Sequence, residues 1–259
     1  MRHSVFYTLF FALALCVVCS ILVSSVAVGL HDRQEENKLL DQQKNVLEVA
    51  GLMREGERIA REEIQRRFAE SLEARVVNLR TGEYAVDVDA LTFDQRAASR
   101  DPSTSRRAPD NPAKVRRLPE RGLVFLIKQD GEVRGVIIPI EGMGLWSVLY
   151  GYLAIADDAR TIRGITFYEH AETAGLGGEV DNPRWKALWP GRLAFDESGR
   201  PKIAVRKGPA GPVGTDPYHV DGLSGSTLTS NGVTHLVRFW LGDHGFGPYL
   251  ARYRTDRGL

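Results

Sequence analysis

Cysteine is nearly absent from this 259-residue chain, and both copies, Cys16 and Cys19, fall within its first twenty residues. The rest therefore cannot rest on disulfides or thiolate metal sites. Cys16 and Cys19 stand on one face of a helix. A lone C-x-x-C is an incomplete metal or cluster site, so the pair reads as two small apolar residues of a lipid-facing or packed helix. The alternative is a thiolate site completed by another membrane protein. Surplus charge is missing too: 34 Lys and Arg against 33 Asp and Glu leave a net charge of +1, no basis for a nucleic-acid partner. No G-x-G-x-x-G follows a strand, which removes the nicotinamide fingerprint, and no internal repeat is present.

Charge is wholly absent from Ser4 to Leu30. As a helix this stretch is about 40 Å long, against a hydrocarbon core of about 30 Å. It reads as an uncleaved anchor, residues 1–34, with a domain over 35–259. A cleavable signal peptide, with Ser25-Val26-Ala27 as its small-residue site, is the alternative, but its apolar region runs only about 7–15 residues. Arg2 precedes the span and Arg33, Lys38 and Lys44 follow it. Long domains cross membranes largely regardless of such charges, so they do not decide the side.

Beyond the anchor, Leu40, Leu47 and Met53, with Leu39, Val46 and Ala50, predict one amphipathic helix. Ala60, Ile64, Phe68 and Leu72, four apart, predict a second. The period shifts to two over 74–91, with a turn at Thr81-Gly82. Residues 96–117, apolar-poor and containing Pro102, Pro109 and Pro112, predict an exposed loop. Then come strands over 123–128 and 133–140 around Asp130-Gly131, and over 150–156 and 162–170 around Asp157-Asp158, with another over 203–208. Short turns between strands, with helices before and after, predict an α+β fold built on an antiparallel sheet. Val233, Leu236, Val237, Trp240 and Leu241 mark a last helix that Gly242 is placed to end.

Just before that helix lies "DGLSGSTLTSNGV", residues 221–233, with hydroxyls at Ser224, Ser226, Thr227, Thr229 and Ser230. A helix N-terminus offers unpaired N–H groups and the positive end of the macrodipole, so such a turn can cradle a phosphate. Equally, Thr229 or Ser230 can simply cap the helix. A P-loop fails because no Lys precedes the last hydroxyl. A nucleophile elbow fails because Gly222-Leu223-Ser224-Gly225-Ser226 ends in Ser and no apolar strand leads into it.

Asp221, Ser224, Gly225, Ser226 and Thr227 resemble the D-x-x-[ST]-G-A-T motif of the FMN-binding domain family, with Ser226 where Ala is usual. The resemblance implies that a flavin transferase links the phosphate of FMN to Thr227. "YEHAETAGLGGEV" (168–180) is similar to the family's H-x-E-T-P-G-L-G segment, with Ala174 where Pro is usual, and "GMGLWSVLYGYLAI" (142–155) resembles the loop and strand before it. The single span, the helix at 42–52 and the order of blocks resemble the C-subunit family of sodium-translocating NADH:quinone oxidoreductases.

That resemblance implies an electron-carrier subunit with covalent FMN, performing no turnover alone, with no catalytic residue and no metal of its own. It would sit in the bacterial inner membrane as a single-pass protein with its domain in the periplasm, within a complex of six subunits. There it would relay electrons between an iron–sulfur centre and the FMN of the B-subunit while quinone is reduced and sodium exported. Around the flavin the resemblance places Asp221, Ser224, Gly225, Ser226 and Thr229 near the phosphate. Near the ring it places Glu172, Thr173, Leu176, Gly177 and Trp146, with Gly175 and Met143 as further candidates. Lys207 is a candidate to neutralise the phosphate, provided its strand runs beside the loop. Trp146 and Leu176 can alternatively be core residues and the glycines a plain turn. His170 and His235 receive no catalytic role. Alternatives to the whole are the FMN subunit of the ferredoxin-linked Rnf complex, FMN held without a covalent bond, and a non-redox periplasmic binding module.

Overall fold

No proline and only one glycine, Gly29, interrupt the first fifty residues, and the charged stretch from Asp32 to Lys44 is rich in good helix formers. The anchor and the helix predicted after it therefore fuse. The computed structural model, which describes residues 5–54 and 56–256, has a single helix α1 over Val5–Val49. Its Val5–His31 portion is long and apolar enough to cross a membrane. The chain divides into two compact units between Gln43 and Lys44. Gly51, at φ 74°, marks the turn beyond α1.

The second unit is a sheet with helices on both faces. After α2 (Arg61–Ser71) come β1 (Leu72–Asn78), α3 (Gln95–Arg100), β2 (Ser105–Arg107) and β3 (Arg117–Pro119). Next follow β4 (Arg121–Gln129), β5 (Glu132–Met143), β6 (Val148–Ala156) and β7 (Ile162–Glu169). Strands β1, β4, β5, β6 and β7 form one antiparallel sheet in that order, so consecutive strands from β4 to β7 are spatial neighbours. Asp130 and Gly131, both at positive φ, close the β4–β5 hairpin as the primed turn their sequence predicts.

Alternation along these strands sorts the core. Val136, Ile138, Ile140, Leu149 and Leu153 share one face, with Val233, Leu236, Val237 and Trp240 of α5 (Thr227–Leu241) in the same cluster. On the opposite face Phe125 meets Phe68 of α2 and Tyr152 edge-on, and Tyr152 stacks on Tyr168. Helix α5 lies directly on β5: a Cβ on Gly142 would be 2.5 Å from that of Leu236, and one on Gly232 2.5 Å from the Met143 carbonyl oxygen. These two glycines let the backbones approach. Helix α6 (Gly247–Asp256) follows Gly242, where α5 ends as expected.

Three local expectations are corrected. Residues 96–117 are not an exposed loop: α3 and a β2–β3 ladder occupy the stretch, and Ala108, Ala113 and Val115 are buried. Asn111 organises it, bonding the carbonyls of Pro109 and Val115 and the amide of Val115, and Met143 N–H donates to Ala113. The period-two run at 74–91 contains one true strand, β1; beyond the Thr81-Gly82 turn only an isolated bridge joins Tyr84 to Val77. The strand at 203–208 shrinks to β8 (Ala204–Val205), parallel to β9 (His219–Val220).

Candidate functional site

Beyond β7 the chain leaves the sheet and delivers Glu172 to a buried position between the β5–β6 turn and the start of α5. Its carboxylate is an acceptor hub. Oε1 accepts from Trp146 N–H (2.9 Å), Ser147 N–H (3.0 Å) and Ser147 Oγ (3.2 Å), and Oε2 from Leu145 N–H (3.2 Å) and Thr229 Oγ1 (2.7 Å). Burial raises the pKa of this carboxyl, but the Thr229 hydroxyl and the turn amides outweigh it, and the group stays below the ordinary carboxylate range. Glu172 is thus an anion held by the protein itself, not a free polar contact for a ring.

The hydroxyl cluster separates by burial. Ser226 Oγ donates to Thr229 Oγ1 at 2.9 Å, and Thr229 passes its own proton toward Glu172. Ser230 Oγ donates to the Ser226 carbonyl (3.0 Å) and accepts from Leu223 N–H (3.1 Å). All three are buried, whereas Ser224 and Thr227 are exposed. Neither Thr229 nor Ser230 caps the helix, because α5 begins at Thr227. The N-cap is Ser226, whose side chain makes no capping bond since its hydroxyl already serves Thr229. The first-turn N–H groups are left uncapped by that side chain, at the positive end of a fifteen-residue helix.

Around this end stand side chains that solvent reaches. Trp146 is 69% exposed, Leu228 60% and Leu176 43%, so Trp146 and Leu176 are not core residues. Leu176 lies against Gly225, whose φ of 69° suits glycine and where a Cβ would meet Leu176 Cδ2 at 2.9 Å. Gly177 is equally tight against Thr229 and Glu172, and Gly175, at φ 74°, turns the exposed strip that carries Thr173. The Thr173 carbonyl holds that strip together, accepting from Leu176 and Gly178.

Asp221 works elsewhere. Its Oδ1 accepts from Ala210 N–H at 2.8 Å and its carbonyl from Trp185 Nε1 at 2.8 Å, tying down the Gly/Pro loop after β8. The segment bearing Lys207 runs beside residues 218–222 through Ala204 N–H to Tyr218 and Arg206 N–H to Val220, and Lys207 itself is exposed. His170 pairs with Asp181 at 2.7 Å. The residues that sequence inspection missed are Leu145 and Ser147: their part is played by backbone amides and one hydroxyl, which carry no motif.

The geometry fits a phosphate-bearing group at Thr227, with an uncapped helix end for the phosphate and exposed apolar side chains nearby for a flat ring. Residues 144–242, which include every candidate site residue but Met143, match the FMN-binding domain family. Over 260 aligned residues the chain is 48% identical to the C-subunit of the Na(+)-translocating NADH-quinone reductase of Vibrio anguillarum, covering 100% of this chain and 98% of that one. The chain belongs to the C-subunit family of Na(+)-translocating NADH-quinone reductases. Solved members of this family share the fold. NqrC of Shewanella oneidensis superposes with a TM-score of 0.77 at 35% identity, covering 85% of this chain and 99% of that one. The C-subunit from Parabacteroides distasonis superposes with a TM-score of 0.65 at 29% identity, covering 85% and 96%.

Proposed function

We propose that this chain is a membrane-anchored electron-carrier subunit of a sodium-pumping NADH:quinone oxidoreductase, with FMN esterified through its phosphate to Thr227. One observation carries the reading: of the four hydroxyls from Ser226 to Ser230, only that of Thr227 is exposed and without a hydrogen-bond partner among the described residues. FMN supplies one- and two-electron redox chemistry when bound. The chain's own residues do the rest. The N-terminal turn of α5 stabilises the remaining phosphate charge, with Ser224 and Gly225 leaving room beside it. Trp146, Leu176 and Leu228 wall the ring, and Thr173 offers it polar contacts. Gly177 gives close approach, while Glu172, Ser226 and Thr229 hold the frame and Asp221 the adjoining loop.

The span over Val5–His31 would anchor the domain on the periplasmic side of the inner membrane, within a complex of six subunits. A flavin transferase would attach the cofactor, and electrons would pass from an iron–sulfur centre through this chain to the FMN of the B-subunit. The test is expression of the full chain with and without an active flavin transferase, then denaturing electrophoresis under ultraviolet light. Fluorescence that needs the transferase and vanishes in Thr227→Ala supports the reading. A dark wild-type band beside an active transferase overturns it, and flavin lost only on denaturation means non-covalent binding. Protease added to intact spheroplasts reads the side: the domain is digested if periplasmic and survives if cytoplasmic.

A further inference from the structure

We propose that Glu172 is a positioning residue, clamping the β5–β6 turn that carries Leu145 and Trp146 onto the first turn of α5, so that the backbone from which Trp146 projects is fixed before any cofactor arrives. The inference rests on the flavin reading above for what Trp146 is held for, but not for the clamp itself. Two observations carry it. The turn, residues 144–147, presents three successive N–H groups and one hydroxyl to a single carboxylate, which also takes a hydroxyl from α5. No apolar packing does this job instead, because Leu145 and Trp146 are exposed at 37% and 69%.

The space around the carboxylate is closed on two further sides by glycine. A Cβ on Gly144 would lie 2.7 Å from Glu172 Oε1, and one on Gly177 2.7 Å from Oε2. Such crowding leaves the carboxylate one orientation, and that orientation fixes the turn. A turn otherwise free in water loses backbone freedom when a ring lands on the side chain it carries; a turn that is already fixed lowers that cost. Ser147 adds a second tie, its Oγ accepting from Ala171 N–H at 2.8 Å while donating to Glu172.

The test uses the full-length chain in detergent before flavin attachment. Of its four tryptophans, Trp185, Trp189 and Trp240 are buried, so the difference between wild type and Trp146→Phe isolates Trp146 fluorescence. In Glu172→Gln the amide nitrogen cannot accept from Thr229 or the turn, and the Trp146 anisotropy decay gains a fast component. The KM of the transferase for the chain then rises about three- to tenfold with kcat unchanged, the factor expected for ordering one side chain. Ser147→Ala moves both readouts the same way by less, and carries the test if Glu172→Gln does not fold. Unchanged Trp146 anisotropy in the folded variants overturns the clamp, and loosened Trp146 with unchanged KM overturns its role in preparing the site for the cofactor. Loosened Trp146 in a chain whose wild type takes no flavin supports the clamp and defeats the attachment reading.

Discussion

Gly177 lies so close to Thr229 that a methyl group on the glycine would sit 2.6 Å from the threonine Oγ1 and 2.7 Å from Glu172 Oε2. Both atoms are buried and bonded to each other, so neither can step aside without breaking the Thr229–Glu172 bond. Gly177→Ala is therefore expected to cost about 1–3 kcal/mol, the range for overpacking a filled site. Urea unfolding measures it; a change below about 0.5 kcal/mol, the size of an ordinary surface substitution, would mean that the pocket is looser than this.

Ser226 departs from the alanine usual in its motif and adds a donor to Thr229. Removing it in Ser226→Ala should cost about 0.5–1.5 kcal/mol, the net worth of a neutral hydrogen bond. Attachment of flavin should persist, because Thr227 keeps its place at the head of α5. Loss of attachment in a folded Ser226→Ala chain would contradict this, since it would make Ser226 part of the acceptor itself.

Acid should act through Glu172 in a definite direction. Its folded-state pKa lies below the ordinary 4.5, so the stability it contributes is present above that value and is lost as pH falls through the lowered one. Glu169, Asp158 and Asp216 are depressed as well and contribute to the wild-type acid slope. The difference between wild type and Glu172→Gln isolates the one group. The gap in denaturant midpoint should narrow on acidification below about pH 5, where carboxyls with ordinary pKa values near 4.3 begin to protonate. A gap independent of pH would show that packing, not charge, holds the turn.

Lys114 occupies φ 55°, a conformation costing a non-glycine residue about 1–2 kcal/mol, and its side chain is exposed. Lys114→Gly relieves that strain and loses about 0.5–1 kcal/mol through greater freedom of the unfolded chain. A small net stabilisation, between about zero and 1.5 kcal/mol, follows. Thermal unfolding reads the sign.

Asp221→Ala removes the acceptor that holds Ala210 N–H and should free the Gly/Pro loop rather than the helix end. Limited proteolysis should then cut faster within residues 206–216 while the α5 region stays protected. Equal protection of that loop in both chains would argue against the tether.

Much of the fold was legible because its signals are local. The β4–β5 hairpin is specified by Asp130-Gly131 and alternating flanks, and α5 by its apolar stripe ending at Gly242. Other features depend on partners distant in sequence. The charged stretch between Leu30 and Leu40 looks like a break in hydropathy, yet no residue in it breaks a helix, so α1 runs through. Residues 96–117 are poor in apolar side chains, but Asn111 and a bond from Met143 fold them and bury Ala113. At the site, the hydroxyl cluster and the Glu172 segment were visible as two motifs. That Glu172 serves the turn at 145–147 was not, because backbone amides look alike in every sequence. The helix start shifted for a related reason: a serine that bonds sideways to Thr229 cannot be told from one that caps.

The burial of Ser226, Thr229 and Ser230 also bears on fidelity. An enzyme offered five hydroxyls within seven residues would, in an unfolded segment, produce a mixture of esters. Folding buries three of them, Ser226 and Thr229 bonded toward Glu172 and Ser230 bonded to the backbone of Leu223 and Ser226, and leaves Thr227 at the helix head and Ser224 outside it. Under the proposed esterification, the substrate's own architecture would narrow the choice of acceptor oxygen, leaving an attaching enzyme to distinguish only two hydroxyls that differ in backbone setting.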